Sequence, residues 1–302
     1  MSEAPSTAPV CYRHSSRETY IRCTRCNRPI CPACMNEAAV GHQCPECVAE
    51  GRRSQRPART AFGGSRVGRA AYATRTLIGI NVLVMIVSAI LGGPRAIAGG
   101  GGWFGLLGDQ TPLTRWGEVL GYAPYVLGGE VHGIAAGEWW RLGTAMFLHY
   151  GVLHLLLNMS LLWQLGRYLE EKLGPIRFLA LYLLAGLGGN VAAYLLTAPN
   201  QPAAGASTSV FGLVIAVFVV NRRLRLDTSA LVPLLVINVL FTFSVPNISA
   251  AGHMGGLAVG ALVALVLAYA PQSRRTLFQA AGCAVIFVVL LVAAVVRTQM
   301  LT

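Results

Sequence analysis

The composition of this 302-residue chain is that of a membrane protein. Apolar residues make up 54% of it and charged residues only 12%, whereas an average soluble domain is roughly a quarter charged. The net charge of +12 would suit nucleic acid, but the basic residues gather in the N-terminal tail and in short loops, so we expect no nucleic-acid partner. The chain divides into a cysteine-rich head and an apolar body.

The head, residues 1–50, contains four close pairs of potential metal ligands. Each pair has a two-residue gap, which lets both side chains reach one tetrahedral Zn²⁺, and four pairs suffice for two closed sites. The pairs are Cys11 with His14, Cys23 with Cys26, Cys31 with Cys34, and Cys44 with Cys47. Disulfides are disfavoured, because the topology argued below places the head in the cytoplasm, where thiols stay reduced. We predict a structural zinc module with two ions.

The order of these ligands resembles that of B-box and treble-clef zinc domains. In such cross-braced modules the pairs interleave, which would give the first and third pairs to one ion and the second and fourth pairs to the other. Sequential pairing is the alternative, and His42 could replace a member of the last pairs. Because no ligand position stays open, we expect this module to bind or regulate. The sequence does not identify its cytoplasmic partner.

Residues 51–73 are rich in Arg, Gly, Ser and Pro, which predicts a basic, flexible linker near an anionic lipid surface. Seven apolar runs follow, each close to the roughly 20 residues that cross a hydrocarbon core of about 30 Å. They cover residues 74–92, 144–166, 177–197, 205–221, 229–245, 250–270 and 277–296. A count of six spans is the alternative.

The distribution of Lys and Arg between the runs predicts the orientation. No signal peptide of the usual form precedes the first run, so we expect a cytoplasmic N-terminus. The inner segments would then carry Arg75, Arg167, Lys172, Arg177, Arg222, Arg223, Arg225, Arg274 and Arg275. The outer segments would carry only Arg95, Arg115, Arg141 and Arg297. The first outer connection, residues 93–143, is rich in Gly and Trp, and we expect it to be an ordered, membrane-associated loop.

Polar residues inside the spans carry most of the functional signal, because such side chains are costly in lipid unless they have partners. His154 and Asn158 lie four residues apart in the second span, so they share one helix face, and His149 precedes them. Hydrogen bonds to neighbouring helices would explain one such residue. Two on one face indicate a site.

The fourth and sixth spans each enter from the outer side with a reactive side chain. Ser207 lies near the start of the fourth span, and His253 lies near the start of the sixth. Gly256 and Gly260 follow His253 at close to helical spacing, and small residues on one face let another helix approach closely. Taken alone, Ser207 could simply bond to the carbonyl one turn back.

Together these side chains predict acyl-transfer chemistry at one depth of the membrane. A serine hydroxyl is a poor nucleophile unless a base takes its proton, and a neutral imidazole is the usual base. Ser207 and His253 can supply this pair. A developing oxyanion needs hydrogen-bond donors, and His154 and Asn158 can provide them.

The same residues resemble the rhomboid family of intramembrane proteases over residues 75–270. The matching motifs, in chain order, are Trp140-Arg141, the series His149, His154 and Asn158, Gly205-x-Ser207, and His253 followed by Gly256 and Gly260. By this resemblance Ser207 is the nucleophile, His253 is the base, and His154 and Asn158 form the oxyanion site with the Ser207 N–H. Phe211 matches an aromatic ring that packs on the catalytic histidine.

One departure from the family pattern follows the serine, where many rhomboids have glycine and this chain has Thr208. A β-branched residue is bulkier, so we expect narrower access to the backbone there. Ser209 is an alternative nucleophile, but two positions along a helix turn it by about 200° from Ser207.

The resemblance implies an all-α membrane protein: a rhomboid-like six-helix bundle over residues 74–270, one extra transmembrane helix in residues 271–302, and the zinc module in front. We expect a multi-pass protein of the cell membrane that cleaves transmembrane protein substrates at a site open to the outer face, with no cofactor for catalysis. The alternative is an inactive rhomboid-like protein that binds transmembrane helices. A transporter is disfavoured, because no Asp or Glu lies in the middle of a proposed span.

Overall fold

The structure is a computed structural model in which some segments are not described. The described residues are 8–55, 59–65, 71–98, 108–125, 128–229, 231–244 and 249–302. Trp103 and parts of the predicted linker, first outer loop and fifth span lie outside these ranges. The chain divides into two compact units, residues 1–58 and 59–302, each of which is described by itself.

The first unit is built from short strands and one helix around buried cysteines. Its elements are β1 (Val10–Cys11), β2 (His14–Glu18), β3 (Asn36–Glu37), β4 (His42–Gln43) and α1 (Pro45–Ser54). The strands form two antiparallel hairpins, β1 with β2 and β3 with β4. Helix α1 begins after Cys44, whose sulfur accepts the N–H of Cys47, and Pro45 supplies the fixed φ that suits a first helical position.

The second unit, which we call the membrane unit, is almost entirely helical. Its helices are α2 (Tyr72–Gly92), α3 (Pro112–Gly117), α4 (Arg141–Thr144), α5 (Val152–Leu161), α6 (Arg167–Leu173), α7 (Pro175–Leu196), α8 (Ser207–Leu224), α9 (Leu231–Ser244), α10 (Ala250–Tyr269) and α11 (Arg275–Leu301). A small hairpin of β5 (Ala123–Pro124) and β6 (Val131–His132) lies between α3 and α4. A π-helical turn, Leu162–Gly166, joins α5 to α6.

Five helices of the described chain are long and apolar enough to cross a membrane: α2, α7, α8, α10, and α11 with the turn before it. A sixth span exists if α4 with the turn after it and the continuous α5–α6 rod are taken together. Within the described residues, helix α9 has 14 residues, fewer than the roughly 20 that cross a hydrocarbon core, and it lies in the predicted fifth span. These helices confirm the predicted multi-pass membrane fold.

The second predicted span, 144–166, is not one straight helix. Its chain bends by 90° between Phe147 and Val152, and the straight part runs from there to Leu173. Gly151 has a φ of +88°, and a Cβ there would lie 2.7 Å from the carbonyl oxygen of Ile97. Only glycine fits this crossing. His149 therefore lies in the bend and not on the helix that carries His154.

Helices α7, α8 and α10 form the centre of the membrane unit, and glycines bring them together. A Cβ on Gly256 or Gly260 of α10 would collide with the backbone of α8, at Thr208 and Gly212 respectively. A Cβ on Gly188 of α7 would collide with a valine of α10. The three helices therefore approach as closely as small residues allow.

A turn from the predicted linker packs on the membrane unit. Phe62 is buried, and its carbonyl accepts a hydrogen bond from Gln279 of α11. The carbonyl of Ala61 accepts from Arg275 at 2.8 Å. Gly64 lies so close to the carbonyl of Leu173 that a side chain would not fit. Residues 59–65 are thus a folded part of this unit.

Candidate active site

Ser207 is the first residue of α8, and the backbone before it approaches His154 closely. Gly205 has a φ of +140°, and its N–H donates to the carbonyl of Ala145 at 2.9 Å. A Cβ on Gly205 would lie 2.9 Å from His154 Nε2 and 3.3 Å from Ser207 Oγ. Glycine is therefore required where the chain turns into the helix between these two side chains.

His253 lies in the first turn of α10, facing Ser207. Ser249 caps this helix, since its hydroxyl accepts the N–H of Gly252 at 3.1 Å. The close packing of α10 on α8 at Gly256 brings the imidazole to the start of α8. His253 Nε2 lies 2.7 Å from Ser207 Oγ. The predicted pair is thus within hydrogen-bond reach.

Two further side chains hold the imidazole of His253. The ring of Phe211 stacks on it, with 4.3 Å between the ring centres and 21° between the planes. At the edge of the ring, Thr242 Oγ1 of α9 lies 2.7 Å from His253 Nδ1. The Thr242 hydroxyl donates its own proton to the carbonyl of Asn238, so it accepts from Nδ1–H. In the neutral ring, Nε2 is then unprotonated and can accept the proton of Ser207.

His154 and Asn158 lie on α5, as predicted. The N–H of Tyr150 donates to His154 Nδ1 at 3.3 Å, so a neutral His154 carries its proton on Nε2. That nitrogen is the one beside Gly205 and Ser207. One N–H of the Asn158 amide donates to the carbonyl of His154 at 2.9 Å. An N–H donor therefore lies next to the serine.

His149 is buried against the ring of His154 in an edge-on contact, with 5.0 Å between the ring centres. Neither of its ring nitrogens has a hydrogen-bond partner among the described residues. This contact restrains the orientation of the His154 ring. His149 thus packs against a residue of the site from the bend before α5.

The two residues after Ser207 point away from His253. Thr208 is buried, and its side chain fills the space left by Gly189 of α7 and Gly252 of α10. Ser209 is fully buried with its hydroxyl against Gly186 of α7. The expected narrowing of the site by Thr208 is therefore not observed, because its methyl group lies in the α7–α10 contact.

The connection between α2 and α4 ends in the Trp140-Arg141 motif, and Arg141 binds several backbone segments. Arg141 is buried and donates to the carbonyls of Arg115 and Glu118 at 2.6 and 3.0 Å. Its Nε lies 2.7 Å from the Glu138 carboxylate. Burial alone would raise the pKa of Glu138, but the hydrogen bonds it accepts, above all from Arg141, lower it below the ordinary value.

A buried carboxyl, Glu118, is connected to the oxyanion candidate His154 through Tyr150. Glu118 accepts a hydrogen bond from the hydroxyl of Tyr150 at 2.7 Å and from the amide of Gln110 at 3.0 Å. Burial raises the pKa of Glu118 to about 7, although the bond from Tyr150 and the charge of Arg141 favour its ionised form. Through Tyr150 this carboxyl is linked to His154.

The cysteines and His14 of the first unit form two four-residue groups. The groups are Cys11, His14, Cys31 and Cys34, and Cys23, Cys26, Cys44 and Cys47. Their ligand atoms all lie within 4.8 Å of one another, and four atoms at about 2.3 Å from a central Zn²⁺ would be roughly 3.8 Å apart. His14 Nδ1, for example, lies 3.4 Å from the Cys31 sulfur. Each group fits a tetrahedral metal ion, and His42 belongs to neither.

Sequence reasoning missed Thr242, Tyr150 and Glu118. Thr242 was a single hydroxyl in an apolar run, with no spacing that relates it to His253. Tyr150 acts through its backbone N–H, which no side-chain pattern reports. Glu118 did carry a signal, because it lies next to the apolar pair Val119-Leu120 in a loop expected to be membrane-associated.

Comparison with known proteins places these motifs in one family. The model of the Rhomboid domain matches residues 136–270, which include every motif from Trp140-Arg141 to Gly260. The rhomboid protease GluP of Bacillus subtilis is 41% identical over 139 residues, which are 44% of this chain and 27% of GluP. The Inactive RHOMBOID-like protein 8 of Arabidopsis thaliana is 32% identical over 144 residues, 46% of this chain and 41% of that protein.

A further relative is matched over most of its length. The putative rhomboid protease YdcA of Bacillus subtilis is 35% identical over 147 residues, which are 47% of this chain and 74% of YdcA. The matched stretch is thus about a quarter of GluP but three quarters of YdcA. The predicted family resemblance is confirmed, and this chain belongs to the rhomboid family.

Proposed function

We propose that this protein is an intramembrane serine endopeptidase with Ser207 as nucleophile and His253 as general base. The observation that supports this most directly is the 2.7 Å distance between His253 Nε2 and Ser207 Oγ, inside a bundle of apolar helices. The hydrogen bond from Nδ1 to Thr242 favours the tautomer that a base needs. The names of GluP and YdcA as a protease and a putative protease agree with this proposal.

In the first half of the reaction, Ser207 Oγ attacks the scissile carbonyl carbon while its proton moves to His253 Nε2. The carbonyl oxygen becomes an oxyanion. His154 Nε2–H, the second N–H of Asn158 and the N–H of Ser207 would donate to it. The imidazolium then protonates the leaving amine, the C–N bond breaks, and an acyl ester on Ser207 remains.

In the second half, a water molecule loses a proton to His253 Nε2 and attacks the ester carbonyl carbon. The C–O bond to Ser207 then breaks, and the serine regains its proton from His253. No cofactor enters either half. The proposed substrate is a transmembrane protein segment with small or helix-breaking residues, because a regular helix shields its own amides.

We propose a cell-membrane location with the N-terminus in the cytoplasm and the site open to the outer face. The excess of Lys and Arg at the end of α8 and the start of α11 supports this orientation. Glu130 and Arg222 are both exposed, and the proposed topology places Glu130 outside the cell and Arg222 inside. On intact cells, an impermeant maleimide should therefore label Glu130→Cys and not Arg222→Cys. Labelling of Arg222→Cys alone would contradict the proposed topology and indicate the opposite orientation.

The decisive experiment reconstitutes the full chain in lipid vesicles with a model transmembrane substrate. Ser207→Ala and His253→Ala should each lower cleavage by at least about a thousandfold. A fluorophosphonate probe should label wild type but not Ser207→Ala, and Ser209→Ala serves as the matched control that keeps both activities. Cleavage that survives Ser207→Ala, or labelling lost only in Ser209→Ala, would contradict the dyad.

The competing proposal is an inactive rhomboid that binds transmembrane helices, as the name of the Arabidopsis relative illustrates. It predicts no cleavage and no probe labelling in wild type, with substrate still captured by the full chain. The retained Ser207 and His253, held at hydrogen-bond distance, favour the protease.

For the head we propose two structural Zn²⁺ ions and an unidentified cytoplasmic partner. The two four-residue groups support the metal, and their closed ligand sets support a binding or regulatory role. We propose the domain order predicted from the sequence: a zinc module in residues 1–50, a basic linker in 51–73, a six-span core in 74–270 and an additional helix in 271–302. Within this order, residues 59–65 of the linker pack on the membrane unit, and α9 is the shortest span of the core. Metal analysis of the full chain should find about two zinc ions per protein.

A further inference from the structure

An apolar groove runs between α2 and α5 on the outer surface of the membrane unit. It has a volume of about 540 Å³, which is in the range of small-molecule sites. Its walls are apolar and include Ile78, Leu156 and Met159, and Gly79 forms an open stretch of its floor. Among the described residues, those that line the groove come from α2, α5 and the π-helical turn.

Arg75 and Trp163 line one end of this groove, and a second cation, Arg167, lies against the Trp163 ring. The guanidinium of Arg75 is 5.9 Å from the ring centre of Trp163, and that of Arg167 is 5.3 Å from it. Both arginines are exposed, and neither pairs with a carboxylate in the part of the chain that the structure describes. Trp163 belongs to the π-helical turn, a deviation that is frequent at functional sites.

The cationic end of the groove lies far from Ser207. Arg75 is in the first turn of α2, whose first N–H groups are bound by Glu170 of α6. Helix α6 also contacts the last turns of α8 through Tyr168 and Asn221, whereas Ser207 begins α8 at its other end. With α2 and α8 crossing the bilayer, as their length and apolar composition indicate, the arginines would lie near one lipid headgroup layer and the groove would extend toward the bilayer middle.

We propose that this groove is a binding site for an anionic phospholipid. The phosphate would lie between Arg75 and Arg167, and an acyl chain would lie along Ile78, Gly79 and Leu156. Two guanidiniums without a carboxylate partner complement a net negative headgroup better than a zwitterionic one. The apolar walls require a lipid rather than free phosphate. The site is separate from the proposed dyad, so it does not depend on the proteolytic function.

The test embeds the full chain in nanodiscs of equimolar phosphatidylglycerol and phosphatidylcholine and counts the lipids retained on the protein by native mass spectrometry. Arg75→Gln with Arg167→Gln should lower the retained phosphatidylglycerol by on the order of tenfold. The matched control is Arg222→Gln with Arg274→Gln, two exposed arginines elsewhere with the same total charge change. An equal loss in the control, or equal retention of both lipids by wild type, would overturn the proposal.

A second variant tests the groove without touching the charges. A Cβ on Gly79 meets no atom within 4 Å, so Gly79→Leu should fold normally and fill the acyl-chain position. We expect it to lose the retained phosphatidylglycerol although both arginines remain. Unchanged retention would overturn the groove as the acyl-chain site. A dimer in wild type that Gly79→Leu abolishes would assign the groove to a second copy of the chain instead.

A second inference rests on a different observation, the contact between Thr242 and His253, and it depends on the proposed protease function. Thr242 is 2% exposed, and its hydroxyl accepts from Nδ1–H because its own proton is donated to Asn238. In the reaction His253 becomes charged, and the same bond then stabilises the imidazolium. We infer that Thr242 is a positioning residue that sets the tautomer of the base.

The test compares Thr242→Val, which keeps the shape without the hydroxyl, with Thr242→Ser, which restores it. Thr242→Val should lower kcat by about tenfold with KM unchanged, and Thr242→Ser should regain most of the rate. A purely structural role predicts the reverse, because Val fills the space better than Ser. If Ser207→Ala abolishes cleavage while Thr242→Val retains full kcat, only this inference fails. Cleavage by Ser207→Ala would contradict the proposed function itself.

Discussion

The head and the membrane unit hold their polar side chains in place by different means. In the head, cysteine sulfurs form the centre of the buried cluster, and Ile30 is the large aliphatic side chain buried among them. In the membrane unit, buried polar groups such as Glu170 bind backbone N–H groups, and glycines bring the helices together. The head should therefore depend on what binds its sulfurs, whereas the membrane unit should depend on the shape of its helices.

Removal of metal should have the largest effect and should be confined to the head. Structural Zn²⁺ contributes roughly 10–16 kcal/mol in small zinc-binding peptides, more than a unit of this size gains from apolar burial. After chelation of the full chain, hydrogen exchange should show loss of protection in residues 10–54. Amides of the membrane unit should stay protected, and probe labelling of Ser207 should be unchanged.

A thiol variant gives the matched control for this prediction. Cys44→Ser should lower the bound zinc by about one ion, whereas Cys283→Ser, in α11, should leave it unchanged. Head amides that remain protected after the metal is lost would contradict the dependence on zinc.

Gly256→Ala should have the next largest effect, on the membrane unit alone. The new Cβ would collide with the carbonyl oxygen of Thr208, so α10 must move away from α8. A displacement of about 1 Å at the reacting atoms can cost on the order of a hundredfold in rate. Cleavage and probe labelling should both fall by this factor. Gly79→Ala, which meets no atom within 4 Å, is the control, and equal rates for the two variants would refute the packing argument.

Glu170→Ala should lower stability without direct effect on the dyad. The Glu170 carboxylate accepts from the N–H groups of Ala73 and Thr74, each at 2.9 Å, and from the Thr74 hydroxyl at 2.8 Å. Its loss leaves buried donors at the start of α2 unpaired, which should cost roughly 2–3 kcal/mol. The thermal midpoint in detergent should fall. Glu171→Ala, one residue on and exposed, should change it little, and a similar fall in both would contradict the assignment.

The sequence predicted those parts of the site whose chemistry is rare in an apolar helix. Polar side chains inside a span are costly unless they have partners, which made four residues recognisable: Ser207, His253, His154 and Asn158. The ligand pairs of the head were recognisable because the two members of each pair are only three positions apart in sequence. These residues come together in the structure as two clusters of the expected composition.

What sequence could not predict depends on packing between distant elements. Thr242 bonds a carbonyl of its own helix, as such residues usually do, and its second bond to His253 exists only because α9 lies beside α10. The 90° bend before α5 was not predicted, because a glycine such as Gly151 does not specify a bend by itself; its close crossing with Ile97 does. Likewise the turn around Phe62 is ordered by Gln279, more than two hundred residues away.

The smallest expected effect concerns pH and Glu118. Burial raises the pKa of this carboxyl from 4.5 to about 7, so between these values the folded protein binds more protons than the unfolded chain. The contribution of Glu118 to the free energy of unfolding is therefore greatest below pH 4.5 and declines as the pH rises to about 7. Acidification should thus stabilise the membrane unit in this range, opposite to the usual behaviour of a salt-bridged carboxylate such as Glu138.

Thermal melts of the full chain between pH 5 and pH 8 can isolate this contribution. Glu118→Gln keeps the shape and the acceptor for Tyr150 but cannot ionise, so its midpoint should decline less with rising pH than that of wild type. Glu171→Gln removes an exposed carboxylate and is the control. Parallel curves for wild type and Glu118→Gln would show that Glu118 stays ionised in the folded protein. Glu118 would then be a permanent negative charge at the hydroxyl of Tyr150, the residue whose backbone N–H binds His154, and would not titrate near neutral pH.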